Sequence, residues 1–403
     1  MMAAKVLLGA AILVLAIAMS GCSTKGCSTA TPGSSGGASS GSSGGATHST
    51  GACTSGGGNP TATGTPAAFA YYENQGTIGA TMLDTSGNFG QLVNFANPPS
   101  SLQALGIMQV VQKKWLYEVV GLQIQGYSIN GGTGALTAIT GSPFSISSTE
   151  VYSLATDSAG KFLFVNAANN HFVEVLSIDQ SSGALAHVGT FATAGFAAQA
   201  TSDGLGKYLY VTAGNLGTTV DVYTIGSTGQ LTPIAGSPFF IDIATLRSEP
   251  TGKFLVGVTG NGANNGVGTD NHVYVFSIDQ TTGTPTPVSG SPFATTFIPA
   301  NVAVHPNGTL VYTFNGTVTG TSPVEGFQLD TSSGALTALA GSPFTGMMAT
   351  TGMFDQSGAF LFLHPTTSIE VAAVDQTTGA LTAIGSPVTG VGSTQAWAVT
   401  DPH

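Results

Sequence analysis

The chain contains one arginine, Arg247, and this residue is the first candidate for binding chemistry. It lies in a predicted innermost strand of a repeated unit, where Ala155, Thr201 and Ala303 are its counterparts. A guanidinium near the axis of a ring could hold a carboxylate or an opened lactone through paired hydrogen bonds. A structural salt bridge in the channel is the alternative interpretation, and Glu249 follows two residues later.

Hydrolysis is the second candidate chemistry. It requires Arg247, a histidine such as His272 or His171, and a carboxylate such as Glu249 to meet in one cleft, since catalytic contacts are about 3 Å long. The histidines are scattered singly, and none pairs with another at metal-ligand spacing. We therefore predict no metal site and no cofactor. His305 occupies a turn position that holds Asp in other repeats, which favours a structural role.

Loops that differ between the repeats form a third candidate site. The connections between second and third strands should share one face of the ring, and they are rich in amides. Such a rim could hydrogen-bond sugars or peptides, although Asn is also simply a good loop former. The candidate ligand-binding residues are Asn166, Asn170, His171, Asn215, Asn264, Asp270 and Asn315.

The charge pattern excludes nucleic acid as a partner. The formal net charge is −11, and only 7% of the residues are charged. Nucleic acid binding needs clustered Lys and Arg to displace counterions. Beyond residue 66 the basic residues are Lys113, Lys114, Lys161, Lys207, Arg247 and Lys253, which form no cluster of that kind.

An internal repeat of 46–56 residues predicts the fold. The string Gly-Ser-Pro-Phe recurs at 141–144, 236–239, 290–293 and 341–344, with Gly-Ser-Pro-Val at 385–388. We interpret it as a turn whose Phe packs between repeats. Each unit reads as four short strands, for example 153–156, 162–166, 173–178 and 184–191, and a four-stranded unit of this length is a propeller blade.

Turns between the third and fourth strands count seven blades. They lie at 84–87, 130–134, 179–183, 226–229, 279–283, 330–334 and 375–379. The first unit begins at its second strand, 69–72, whereas residues 396–401 look like an isolated first strand. We predict that residues 395–400 pair beside 69–72, which completes blade one and leaves no open edge. The fold class is thus all-β, a seven-bladed β-propeller of four-stranded blades.

The repeats also carry a family resemblance. The run Asp-x-x-Gly-Lys-Tyr-Leu-Tyr-Val-Thr at 203–212, with Val-Tyr-Thr-Ile at 222–225 and Gly-Gln-Leu-Thr-Pro-Ile at 229–234, resembles the lactonase-like seven-bladed propellers. The resemblance covers about 69–401. It implies the fold and, by similarity to 6-phosphogluconolactonase-like members, a lactone hydrolase. A phosphorylated sugar lactone would need several basic groups near the axis, whereas the lysines fall mostly in the first-to-second-strand turns.

Residues 1–21 resemble a lipoprotein signal peptide. Lys5 precedes an apolar stretch of about a dozen residues, which is too short to span a bilayer. Met19-Ser20-Gly21-Cys22 resembles the lipobox of bacterial lipoproteins, which implies lipidation at Cys22; an ordinary signal peptide is the alternative. The protein should then be exported and held on the cell envelope. Ser23, rather than Asp, after Cys22 favours the outer membrane in a host that has one.

Residues 22–66 should be a flexible tether. From 23 onward they contain no Leu, Ile, Val or Phe, so they cannot offset the entropy of ordering. Their root-mean-square reach is on the order of 35–40 Å. Cys27 and Cys53 lie in this tether, and whether they pair is open. The domains are therefore a signal peptide (1–21), a tether (22–66) and a propeller (67–403).

Two functions from different classes follow. The first is an envelope-anchored binding or scaffold module that contacts protein or glycan through its loop face. The alternative is a lactonase-like hydrolase of sugar lactones, with Arg247, Glu249 and His272 as the candidate catalytic residues. The absence of an evident acid–base pair in the sequence favours the first.

Overall fold

The computed structural model describes residues 64–74, 77–90, 93–95, 104–167, 170–214, 218–260, 270–315, 323–365, 368–389, 391 and 397–403. Within these ranges the regular structure is β-strand throughout. In the same ranges no helix is long and apolar enough to traverse a lipid bilayer.

The strands form seven sheets in the described ranges, and each sheet is one blade. In chain order they are β1 (Pro66–Asn74), β2 (Thr77–Asp84) and β3 (Val93–Phe95) in blade one; β4 (Ala104–Val111), β5 (Trp115–Val120), β6 (Gln123–Ile129), β7 (Leu136–Ala138) and β8 (Phe144–Ser145) in blade two; β9 (Val151–Thr156), β10 (Phe162–Ala167), β11 (Phe172–Ile178) and β12 (Leu185–Ala192) in blade three; β13 (Gln199–Ser202), β14 (Tyr208–Ala213), β15 (Thr219–Ile225) and β16 (Leu231–Pro233) in blade four; β17 (Thr245–Ser248), β18 (Phe254–Val258), β19 (His272–Ile278), β20 (Pro285–Pro287) and β21 (Phe293–Ala294) in blade five; β22 (Pro299–Val304), β23 (Leu310–Asn315), β24 (Glu325–Leu329) and β25 (Leu336–Ala338) in blade six; β26 (Thr351–Phe354), β27 (Phe360–His364), β28 (Ser368–Val374) and β29 (Leu381–Thr389) in blade seven; and β30 (Trp397–Thr400).

The predicted ring closure is confirmed. Strand β30 pairs antiparallel with β1, with Phe69 opposite Thr400 and Tyr72 opposite Trp397. Blade one is therefore built from both ends of the propeller sequence, in the order β3-β2-β1-β30. The innermost strands of neighbouring blades contact one another around the whole ring, including β30 with β4. The seven-bladed fold class predicted from the repeats is correct.

Apolar layers between neighbouring blades form the core. The second and third strands are apolar on both faces because each sheet is covered on both sides, and the side chains of adjacent blades interdigitate. Between blades two and three, for example, Trp115 and Tyr117 pack with Leu163 and Val165. Burial of such side chains stabilises the ring by about 25 cal/mol per Å² of apolar surface removed from water.

A buried tyrosine hydroxyl joins one blade to the next at four places in the described structure. The tyrosine holds the same register position in each of these second strands, and it donates to the carbonyl of the turn glycine in the following blade. The bonds are Tyr71 to Gly134 (2.7 Å), Tyr117 to Gly183 (2.7 Å), Tyr210 to Gly283 (2.8 Å) and Tyr312 to Gly379 (2.7 Å). Phe164, Val256 and Phe362 hold the same strand position in the other three blades, which therefore lack this hydroxyl link.

The Gly-Ser-Pro-Phe string follows the short fourth strands β7, β16, β20 and β25. In blade two the Ser142 hydroxyl accepts the N–H of Gly126 from the neighbouring strand at 2.8 Å. The chain then returns, and Phe144 pairs with Ile124 of the third strand. Phe144 packs against the apolar layer between blades two and three, which confirms the prediction that this Phe packs between blades. Ser237, Ser291 and Ser342 make the equivalent hydrogen bond in their own blades.

Replacement of Gly183 by Ala should destabilise the ring more than the same change at Gly346. Both glycines have a positive φ, of 73° and 85°. A Cβ at Gly183 would lie 2.7 Å from the Trp115 ring, whereas a Cβ at Gly346 would meet nothing within 4 Å. We expect Gly346→Ala to cost about 1 kcal/mol through backbone strain and Gly183→Ala about 3 kcal/mol or more, since overpacking adds to it. Urea unfolding measures both, and equal losses would contradict this account.

Candidate functional site

A cavity of about 610 Å³ lies on the axis of the ring, enclosed by innermost strands. It is called the axial cavity below. Its described lining mixes amide, hydroxyl, carboxyl and apolar side chains with a single guanidinium. The amide, hydroxyl and guanidinium side chains that the innermost strands contribute include Gln109, Thr156, Gln199, Thr201, Arg247 and Ser248.

The axial cavity reaches the face formed by the first-to-second-strand turns, which we call the turn face. Ser158, Gly204, Pro250 and Gln356 from these turns belong to its described lining. The chain also enters the propeller at this face, because the turn after β2 bonds back to the start of β1 through the Thr85 N–H. The connections between second and third strands lie at the opposite face, the loop face.

Strand register confirms the predicted counterparts of Arg247. Arg247 is opposite Val256, just as Ala155 is opposite Phe164 in blade three. The same position is filled around the ring by Gln109, Ala155, Thr201, Arg247, Ala303, Met353 and Ala398. Arg247 is therefore the one charged residue in this ring of seven positions.

The Arg247 guanidinium lacks a counter-ion in the part of the chain that the structure describes. Its one hydrogen bond there runs from Nη1 to the carbonyl of Leu246, at 3.0 Å. The ion pairs of the described residues do not include it. Removal from water lowers the pKa of Arg247 to about 10, because burial penalises the charged form. It remains a cation at neutral pH.

Glu249 is held in the turn that follows β17. Its carboxylate accepts the backbone N–H groups of Thr251, Lys253 and Phe254 and the Thr251 hydroxyl. It thus replaces the turn Asp of other blades: Asp157 accepts two N–H groups in the same way. The structure does not bring Glu249 together with Arg247 in an ion pair, and the carboxylate is 1% exposed.

A second polar cluster lies at the loop face of blade five. Nδ1 of His272 bonds to Asp270, and the Tyr274 hydroxyl donates to the other oxygen of the same carboxylate. Burial opposes ionisation of Asp270, but these hydrogen bonds and the nearby imidazole together lower its pKa. Burial and the proximity of Asp270 raise the pKa of Asp242. We call these four residues the His272 cluster.

The structure separates the His272 cluster from Arg247. Arg247 is opposite Val256, which is opposite Val275, three residues after His272. Two strand spacings across and three residues along place the two backbones about 14 Å apart. Arg247 lines the axial cavity, whereas none of the four residues of the His272 cluster belongs to its described lining, so we treat a site at either residue as a separate site.

The candidate loop residues have varied environments. Asn166 is fully buried and donates to the Ser153 hydroxyl at 2.6 Å. The side chain of Asn170 accepts the Thr149 N–H and hydroxyl. His171 is exposed with a φ of 54°. Asn315 ends β23.

Asn215 and Asn264 lie outside the described residues. Binding through the loop face, and the roles predicted for the loop residues, stay predictions. Within the described ranges no group of three or more His, Cys, Asp or Glu side chains is arranged to hold a metal ion.

Sequence reasoning missed two sets of polar residues. The first is the amides of the axial cavity, above all Gln199, where blades three and five have Ser153 and Thr245 at the same register position. The second is a set of third-strand carboxylates that accept N–H groups from the loop leaving the preceding blade. These are Glu174 from Ser147 (2.8 Å), Asp221 from Ala194 (3.0 Å) and Glu325 from Thr296 (2.9 Å). Their recurrence at one strand position was the available signal, and it indicates a structural role.

Comparison with known proteins supports the fold alone. No protein-family model matches the sequence, and no curated protein matches it. Among solved structures, a protein of Bacteroides fragilis named provisionally as a 6-phosphogluconolactonase is similar, with a TM-score of 0.66 and 16% identity over 85% of this chain and 100% of that one.

Two further structures share the fold. The periplasmic gluconolactonase PpgL of Pseudomonas aeruginosa is similar with a TM-score of 0.62 and 17% identity, over 83% of this chain and 100% of that chain. A Lactobacillus plantarum protein has a TM-score of 0.60 and 17% identity, over 83% and 99%. The chain is thus a propeller of the architecture found in lactonase-like proteins.

One buried acid outside both candidate sites has an unusual environment. Glu118 of β5 is fully buried, and neither of its carboxylate oxygens has a hydrogen-bond partner among the residues that the structure describes. Burial, aided by repulsion from Glu73, raises the pKa of Glu118 to about 8. It is therefore mainly protonated in the folded protein at neutral pH and ionised in the unfolded chain.

Glu118 should make the propeller less stable as the pH rises. Between the unfolded pKa near 4.5 and the folded value near 8, the folded state holds a proton that the unfolded state has lost. Stability must then fall with rising pH, by up to about 1.4 kcal/mol per unit. We expect Glu118→Gln to flatten the pH dependence of the urea midpoint between pH 5 and 8.5. Glu150→Gln controls for the loss of one carboxyl group, and an unchanged slope in Glu118→Gln would contradict the prediction.

Proposed function

We propose that the protein is an exported, lipid-anchored binding module that captures a small hydroxylated carboxylate in the axial cavity. The observation that carries the proposal is the Arg247 guanidinium, which lies in this cavity without an anionic partner among the described residues. Arg247 is half-buried, and partial removal of a cation from water is costly unless it is paired. A ligand carboxylate would supply the missing charge and could accept two parallel hydrogen bonds.

The size and lining of the axial cavity fit such a ligand. Pockets for small molecules commonly enclose about 300–1,000 Å³, and this cavity encloses about 610 Å³. Amides and hydroxyls such as Gln109, Thr201 and Ser248 line the same cavity. These groups can exchange hydrogen bonds with sugar hydroxyls, whereas a purely apolar acid would leave them unpaired at a cost.

The proposed anchor suits this location of the site. The sequence around Cys22 supports lipidation, and residues 22–66 have the composition of a tether. The chain enters the propeller at the turn face, which is also the face that the axial cavity reaches. A ligand diffusing near the membrane surface would meet this face.

Lactone hydrolysis is the second candidate function, and the His272 cluster favours it. Because Asp270 holds Nδ1 of His272, the Nε2 atom is left to act as a base toward water. The printed name of the P. aeruginosa structure, a periplasmic gluconolactonase, suggests glucono-δ-lactone as the first substrate to try. The hydrolytic site would then be distinct from the axial cavity.

Arg247→Ala should weaken binding of D-gluconate to the full-length protein, measured by isothermal titration calorimetry. We expect at least a tenfold loss, because a charge-assisted bidentate contact contributes more than a neutral hydrogen bond. Arg247→Lys should recover part of the affinity, since lysine keeps the positive charge but lacks the two parallel N–H donors of a guanidinium. Lys253→Ala removes one exposed positive charge of the turn face outside the cavity and should leave the affinity unchanged. Wild-type protein that fails to bind, or unaltered binding by Arg247→Ala, would refute the proposal.

His272→Gln tests the second function. If the chain is a hydrolase, glucono-δ-lactone opening above the spontaneous rate should fall about a hundredfold or more in this variant, as for loss of a general base. Arg247→Ala should retain turnover, because Arg247 lines the axial cavity and the His272 cluster does not. A pH-stat assay measures the rate, and wild-type turnover no faster than the uncatalysed reaction would exclude hydrolysis of this lactone.

A further inference from the structure

A second group for ligand recognition lies at the edge of β17 that faces the axis of the ring. Leu246 pairs with Gly257 of β18, yet its N–H and C=O both bond elsewhere. The N–H donates to Oε1 of Gln199, from the innermost strand of blade four, at 3.0 Å. The C=O accepts Nη1 of Arg247, also at 3.0 Å. Side chains thus satisfy the edge groups that no further strand covers.

This arrangement places the Gln199 amide beside the Arg247 guanidinium. The N–H and C=O of one residue in an antiparallel strand point to the same side. The two head groups that bond them are therefore neighbours. Both Gln199 and Arg247 belong to the lining of the axial cavity.

The same hydrogen bond orients the Gln199 amide. Because Oε1 accepts the Leu246 N–H, the amide oxygen is fixed toward the strand and the NH₂ group is directed away from it. This NH₂ group makes no hydrogen bond to any described residue, and Nε2 is not among the buried atoms that lack a partner. At this point the cavity therefore presents two adjacent donors, one charged and one neutral.

We propose that Gln199 determines the selectivity of the axial cavity. Its NH₂ group donates to an oxygen on the carbon next to the carboxylate that Arg247 binds. The preferred ligands are then 2-hydroxy or 2-oxo carboxylates rather than acids with a bare methylene at that carbon. The inference rests on the carboxylate site proposed above. It adds the residue that recognises the oxygen on the carbon next to the carboxylate.

A purely structural role explains Gln199 less well. At the same register position, the Ser153 hydroxyl donates to the Ala198 carbonyl of blade four at 3.0 Å. The Thr245 hydroxyl likewise donates to the Ala300 carbonyl of blade six at 3.2 Å. A hydroxyl thus suffices to link neighbouring innermost strands. The longer Gln199 side chain adds an NH₂ group, and its two N–H donors take no part in linking the innermost strands.

Selectivity between two ligands tests the proposal in the full-length protein. D-gluconate and 2-deoxy-D-gluconate differ only in the 2-hydroxyl group. By calorimetry, wild-type protein should prefer gluconate by about five- to tenfold, the usual value of one buried hydrogen bond. Gln199→Met keeps the side-chain length without donors, and it should bind the two ligands with equal affinity.

Two further variants separate selectivity from folding. Gln199→Glu keeps an acceptor for the Leu246 N–H but places an anionic oxygen beside Arg247, so both ligands should bind at least tenfold more weakly. Ser153→Ala removes the equivalent link in blade three and should leave the preference for gluconate unchanged. Melting temperatures show that each variant is folded.

The outcomes are distinct. If Gln199→Met lowers both affinities equally and the preference for gluconate persists, Gln199 is only structural and the proposal is wrong. A wild-type protein that binds both acids equally also overturns it, while the carboxylate site at Arg247 would stand. If the wild-type protein binds neither acid, the carboxylate site itself is wrong.

Discussion

The ring depends on the contact between the second strand of one blade and the third-to-fourth-strand turn of the next. A turn glycine lies against the aromatic residue that begins that second strand, as Gly183 does on Trp115. Its carbonyl accepts the hydroxyl of Tyr117 two residues further along the strand. A side chain on the glycine would push the blades apart, and loss of the hydroxyl would leave a buried carbonyl unpaired. Repetition of this contact sets the angle between blades and hence how many close the ring.

Because these contacts repeat, the fold was predictable from the sequence. Each blade meets the same packing problem, so the same glycines and aromatic residues recur, and counting the turns gave seven. The closing strand was predictable for a related reason. A unit that lacks its first strand and an isolated strand at 397–400 complete each other, and the structure pairs them. The residues that recur in the repeats therefore identify the fold.

The candidate site was only partly predictable, because it depends on departures from the repeat. Arg247 stood out since its counterparts are mostly small or neutral. The turn role of Glu249 was missed, although a signal was present: it stands three residues before Gly252 as Asp157 does before Gly160, and the structure shows both as turn acceptors. Gln199 could not be identified from sequence. Its proposed role depends on one hydrogen bond to the next blade. The sequence alone does not show which side chains of neighbouring blades lie close together.

The charges around the axial cavity constrain the ligand that it can take. Arg247 is the single cation deep in the described lining, whereas Asp157, Asp203 and Glu249 lie at the rim toward the turn face. Hydrogen bonds from backbone N–H groups hold these carboxylates in their turns, so they neither move aside nor neutralise the guanidinium. A monoanionic acid gains one favourable pairing inside. A phosphorylated sugar acid would bring further negative charge past the same carboxylates with no second cation to meet it. The geometry therefore favours an unphosphorylated acid.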